Sequence, residues 1–176
     1  MKFVALFVIF SLLLIGFSAA QTLIQDFCKK AIVTHRELKY DFCVSSLQQD
    51  PQSKSATSLI GLLIASTNVA AVKTTNVIGI VNQVIKEKKY GKVIEGTLYS
   101  CLPVFNDATD ELKLTLASVK SHDHEDVNWH LSKALISTED CDLEFKQMEL
   151  QNPIRNETNV LYNKILIPFA LSDMLW

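Results

Sequence analysis

At 176 residues with 48% hydrophobic side chains, the chain is long enough to bury one sizeable core. Its 5 glycines and 4 prolines are too few for an all-β fold, which needs many turns, and suit long helices. The formal net charge of −2 leaves no electrostatic case for nucleic acid, whose footprint is a clustered basic face.

In chain order, the first element is a targeting segment. Lys2 precedes an almost unbroken apolar run from Phe3 to Phe17, and Ser18-Ala19-Ala20 supplies the small residues a signal peptidase reads. Residues 1–20 are therefore expected to be a secretory signal cleaved between Ala20 and Gln21. A membrane anchor is the weaker reading, because the run is short for a bilayer and no second one exists. The mature chain, residues 21–176, would be a single secreted domain with no membrane association.

In an oxidising compartment the even set Cys28, Cys43, Cys101 and Cys141 implies two disulfides, with three possible connectivities. Zinc is the competing use, but no pair has close Cys-x-x-Cys spacing. Residues 22–33 read as a helix with Leu23, Phe27 and Ala31 along one stripe and Ile24 and Cys28 beside it. Thr34 to Glu37 breaks the pattern, and Tyr40 to Gln48 reads as a second short helix with Phe42, Cys43 and Leu47 on one face. Two such helices are marginal alone in water. A Cys28–Cys43 bridge would make them a hairpin, residues 21–50, for about 3 kcal/mol of loop-closure entropy.

Asp50-Pro51 disfavours helix and marks a break, after which Ser53 or Ser55 can cap the next element. From Ala56 to Lys89, Leu59, Ile60, Leu62, Leu63, Ile64, Val69, Val77, Ile78, Val81, Val84 and Ile85 recur densely. One long helix is favoured over two, and the tract Lys86-Glu87-Lys88-Lys89 fits its C-terminus, where cations complement the dipole. Gly91 separates it from a helix around Cys101, expected from Tyr99 to Leu116. There Leu98, Cys101, Phe105, Ala108 and Leu112 step by threes and fours, with Pro103 inside.

Lys120 to Asp126 reads as a loop, followed by a helix from Val127 to Phe145 that carries Cys141. A Cys101–Cys141 bridge would tie these two helices for about 4 kcal/mol. A loop opens at Asn152-Pro153, Asn156-Glu157-Thr158 is an N-glycosylation acceptor on a secreted chain, and Val160 to Ala170 forms a last helix that Pro168 interrupts. With no alternating strand pattern, the fold expected is all-α: an up-and-down four-helix bundle, residues 51–176, extended by the N-terminal helical hairpin.

Little of this is catalytic chemistry. The chain has no Gly-x-Ser-x-Gly elbow, no His-Glu-x-x-His pair and no glycine-rich phosphate loop. The densest titratable stretch is His122-Asp123-His124-Glu125-Asp126, with His130 near. Imidazoles and carboxylates are ligand types for a divalent metal, but a polar loop before a helix supplies them anyway. A partner-contact or pH-sensing loop is the reading favoured, because histidines charge in mildly acidic surroundings. No metal and no cofactor is implied.

The motifs taken together resemble the plant invertase and pectin methylesterase inhibitor family over about Leu23 to Leu171. They are Cys28-Lys29-Lys30, Tyr40-Asp41-Phe42-Cys43-Val44-Ser45-Ser46-Leu47 and Asp50-Pro51-Gln52-Ser53. To these add Phe105, Ala108 and Leu112 after the third cysteine, Leu131-Ser132-Lys133-Ala134-Leu135 before the fourth, and Asp142 and Phe145 after it. The first half looks most like a subgroup of invertase inhibitors that includes a pollen allergen. The resemblance implies a four-helix bundle with an N-terminal hairpin, and disulfides joining first to second and third to fourth cysteine. It also implies stoichiometric inhibition of a cell-wall pectin methylesterase or acid invertase, without enzyme activity. Invertase-directed members carry Pro-Lys-Phe where this chain has His124-Glu125-Asp126. The alternatives are a secreted bundle of this fold with a storage or defence role, and a small-ligand carrier, which the leucine- and valine-filled seams disfavour.

Overall fold

The computed structural model describes residues 21–176; the expected signal segment and its cleavage site lie outside these residues. Seven helices follow one another: α1 (residues 21–34), α2 (Tyr40–Gln49), α3 (Pro51–Ser55), α4 (Leu59–Glu87), α5 (Lys92–Ser121), α6 (His124–Gln147) and α7 (Arg155–Leu175). No strand occurs among the described residues. Helices α4 to α7 form the bundle. Each packs on the next and α7 closes back on α4, so the four enclose one core. The short connections make neighbours antiparallel.

The core is the set of residues that the helical spacing aligns. Leu98, Cys101, Phe105, Ala108 and Leu112 of α5 are fully buried, as are Val127, Leu131, Ala134 and Phe145 of α6. The disulfide Cys101–Cys141 joins α5 to α6 with Cα atoms 5.0 Å apart, and Cys28–Cys43 joins α1 to α2 at 5.8 Å. Phe27, Ala31, Leu38 and Leu47 of the hairpin belong to the same apolar cluster as the bundle, so the hairpin is docked on it. Lys164 of α7 lies over the Phe42 ring at 5.8 Å, and His35 meets Phe169 edge-on at 5.6 Å.

Several boundaries differ from the sequence expectation. Asp50-Pro51 ends α2 but also starts α3: proline occupies the first turn, where its missing N–H costs nothing. The Asp50 carboxylate accepts from the Ser53 N–H at 2.7 Å and from the Ser53 hydroxyl at 2.8 Å. The long helix is therefore capped by Ser58, which accepts from the Gly61 N–H at 3.1 Å, and not by Ser53 or Ser55. It runs unbroken to Glu87 and stops at Lys88 in the left-handed conformation. Helix α5 begins seven residues before Tyr99, at Lys92. Nor does Pro168 interrupt α7, which continues to Leu175. Buried Ala170, Leu171 and Ser172 hold the turns beyond the proline against the core, offsetting the lost backbone bond.

Candidate functional site

The expected loop from Lys120 to Asp126 shrinks to two residues. Lys120 and Ser121 complete α5, and His124, Glu125 and Asp126 form the first turn of α6. His122 takes the left-handed conformation at φ 60°, a region in which histidine is enriched. Its N–H donates to the Val119 carbonyl, and the Asp123 N–H to that of Ser118 at 3.0 Å, the two bonds of a Schellman ending. The Asp123 side chain then caps α6 by accepting from the Asp126 N–H at 3.2 Å. Glu125 and Asp126 face the positive end of the helix dipole. Local backbone needs account for most of this acidic stretch.

The histidines diverge. His122 is exposed on the turn, His124 stacks on Trp176 with ring centroids 4.0 Å apart, and His130 Nδ1 lies 2.6 Å from Glu111 Oε2 on α5. No group of three potential metal ligands occurs among the described residues. His35, not singled out by spacing, joins the same end of the bundle. Its Nε2 lies 3.1 Å from Asp173 Oδ2, within ion-pair reach but without a hydrogen bond. Asn128 donates to Asp173 Oδ1 at 3.0 Å. Polar contacts thus tie the α1–α2 connection, α6 and α7 together there.

A larger feature lies on the outer face of α6. Trp129, Ile136 and Leu143 are 60%, 51% and 47% exposed, although α6 also buries a full apolar seam on its other side. They recur every seven residues, two helical turns, and so form a stripe about 20 Å long. Lys133 covers part of the Trp129 ring at 5.6 Å. Three large apolar side chains aligned on a solvent-facing helix are what a partner surface requires and what a free surface does not. The signal was present in the sequence as the seven-residue spacing, out of phase with Val127, Leu131, Ala134 and Phe145.

Between α6 and α7 runs a groove of 740 Å³, with Glu37 and Glu139 on its wall and Asp142, Arg155 and Tyr162 along it. Burial, with Asp140 and Glu37 adding, holds the Glu139 carboxyl above the ordinary carboxylate range. Burial also raises the Tyr162 phenol, with Glu139 and Glu37 contributing. Asp142 is committed to structure: it accepts from the Asn152 amide and from the Thr158 hydroxyl at 2.9 Å. Thr158, third residue of the glycosylation acceptor, is buried, whereas Asn156 is exposed in the first turn of α7.

Comparison with known proteins places this geometry. The family model "Plant invertase/pectin methylesterase inhibitor" matches residues 22–170. The chain is 50% identical to "Pectinesterase inhibitor 12" of Arabidopsis thaliana, over 99% of this chain and all of that one. It is 29% identical to "Putative invertase inhibitor" of Platanus orientalis, over 93% of this chain and 95% of that one. A crystal structure of a mutant form of a pectin methylesterase inhibitor from Arabidopsis superposes with a TM-score of 0.66. That match has 18% identity and covers 77% of this chain and 89% of the other. A further crystal structure, of a pectin methylesterase inhibitor from Arabidopsis thaliana, superposes at 0.60, also 18% identical, over 88% of this chain and 97% of the other. At that identity the structures speak to the helical fold.

Proposed function

Because the chain belongs to the plant invertase/pectin methylesterase inhibitor family, whose members inhibit enzymes and are not enzymes themselves, we propose that it is a secreted cell-wall inhibitor of a pectin methylesterase, acting by stoichiometric protein–protein binding. The observation that carries this reading is the Trp129–Ile136–Leu143 stripe. It lies on α6, which the Cys101–Cys141 bridge ties covalently to α5. A preorganised apolar row of this kind supplies the central anchors of an interface at little entropic cost. The choice of pectin methylesterase over invertase rests on the 50% identity to a pectinesterase inhibitor, against 29% to an invertase-inhibitor relative. It rests also on His124-Glu125-Asp126, which stand in a capped helical turn where invertase-directed members carry Pro-Lys-Phe.

The test mixes the purified mature chain with a pectin methylesterase and, in parallel, with an acid invertase, and follows each activity at increasing inhibitor ratio. Loss of pectin methylesterase activity that saturates near one equivalent is the expected result. Ile136→Glu and Leu143→Glu should weaken inhibition roughly thirtyfold or more, the factor matching a hot-spot loss of about 2 kcal/mol. Both residues are exposed, so the melting temperature should not move. Undiminished activity at large excess of the chain would reject the inhibitor reading for that enzyme. Full inhibition by both variants would move the contact off α6.

A further inference from the structure

The bundle end opposite the His122–Asp123 turn has a different character. The α4–α5 and α6–α7 connections meet there around a cleft of 390 Å³ lined by Tyr90, Ile94, Gln151, Asn152, Arg155 and Asn156 among others. We propose that this cleft binds an acidic oligosaccharide, a run of uronate sugars with free carboxylates.

Charge is the first argument. Lys86, Lys88, Lys89, Lys92, Lys146 and Arg155 cluster at this end of a chain whose net charge is −2. Glu87, Glu95, Asp142, Glu144 and Glu149 oppose them, but Glu87 is engaged by Lys89 at 2.7 Å and Asp142 by Asn152 and Thr158. Lys86 and Lys88 are explained by the C-terminus of α4, where cations are favourable. Lys92 and Arg155 are not. Each is the first residue of its helix, the end at which a cation opposes the dipole. Among the described residues Arg155 makes no ion pair that would repay this.

Helix starts give the second argument. Helices α5 and α7 both begin at this end, and neither has a side-chain cap; α4 and α6, which begin at the other end, are capped by Ser58 and Asp123. At α7 the Arg155 and Glu157 N–H groups already donate to the Asn152 and Ile154 carbonyls, so the uncapped start of α5 beside Lys92, together with the Arg155 side chain, is what suits a carboxylate ligand. The third argument is Tyr90. It is 46% exposed on the short connection between left-handed Lys88 and Gly91, with no core packing to require an aromatic there. An exposed ring stacks on the apolar face of a sugar, while Gln151 and Asn156 offer amides to its hydroxyls. The Asn152 side chain is already committed to Asp142 and the Ile154 N–H and contributes shape alone.

The experiment needs no enzyme, so its failure would leave the inhibitor reading intact. The mature chain, produced with both disulfides and without N-glycans, is titrated calorimetrically with oligogalacturonate of roughly ten sugars. The same titration is run with its fully methyl-esterified counterpart and with polyglutamate of matched charge. Binding of the free acid alone is expected, weakening with added salt. Arg155→Gln and Tyr90→Ser should each cost about tenfold, the factor for one charge-assisted bond or one stacked ring. Neither substitution should alter the melting temperature. The proposal is overturned if the free acid does not bind, if the ester binds equally, or if polyglutamate matches the oligosaccharide and Tyr90→Ser has no effect. A glycan on Asn156 would stand in the cleft, so glycosylated protein should bind the oligosaccharide more weakly.

Discussion

Replacing Asp142 by alanine tests the account of how α6 is fastened to α7. Its two carboxylate oxygens accept from the Asn152 amide and the Thr158 hydroxyl, both on residues about 5% exposed or less. In Asp142→Ala the Thr158 hydroxyl can still donate to the Arg155 carbonyl, 3.0 Å away, so its loss is small. The Asn152 amide has no such second partner, and its oxygen must stay where it is to accept from the Ile154 N–H at 2.9 Å. A buried donor that loses a charged acceptor costs about 1.5–3 kcal/mol. For a domain of this size each kcal/mol lowers the melting temperature by about 2–4 °C, so the expected fall is roughly 3–12 °C. Asp142→Asn, which keeps one acceptor, should fall by about half as much. Thermal unfolding followed by circular dichroism reads both, and pairing Asp142→Ala with Asn152→Ala should give less than the sum of the single effects. A melting temperature for Asp142→Ala within about 1 °C of wild type, or strict additivity in the pair, would refute the assignment.

Other expectations follow from the same contacts. Since Glu139 holds its proton to higher pH when folded than when unfolded, it lowers stability as pH rises out of the ordinary glutamate range. Glu139→Gln should therefore melt with wild type near pH 4 and slightly above it near pH 7; the exposed position keeps the gain small, and a gain confined to acid would reverse the sign and defeat the argument. Opening the Cys101–Cys141 bridge by a double serine substitution should cost about 4 kcal/mol, against about 3 for Cys28–Cys43, measured as denaturant midpoints at constant slope. Phe105→Ala, at a fully buried site in the bundle core, should cost about 3–5 kcal/mol by the same measurement, and a cost below about 1 would contradict its place there.

Helical periodicity made the bundle readable because α5 and α6 bury nearly uninterrupted rows at threes and fours, from Leu98 to Leu112 and from Val127 to Phe145. Boundaries were less readable, since they depend on which polar residue wins the cap. Ser53 is a good capping residue on its own, but the Asp50 carboxylate captures both its N–H and its hydroxyl, leaving Ser58 to start α4. Pro168 misled for the opposite reason: local chemistry favours a break, and burial of the following turn overrides it. At the candidate site, His122 and Asp123 looked like a presented loop because left-handed and capping positions use the same residue types that binding loops do. The contacts of His35 with Asp173, and of His124 with Trp176, join positions far apart in sequence, and no spacing rule announces them.

The placement of the two tryptophans supplies built-in optical reporters. Trp176 rests on the His124 ring at the end of the bundle, whereas Trp129 stands in solvent on the outer face of α6. In a Trp176→Phe protein the remaining emission comes from the α6 face alone. A blue shift on adding a partner would then show, without any label, that this face has left the water. The same geometry argues for placing affinity tags at the amino terminus, because an extension past Trp176 would disturb its stack on His124.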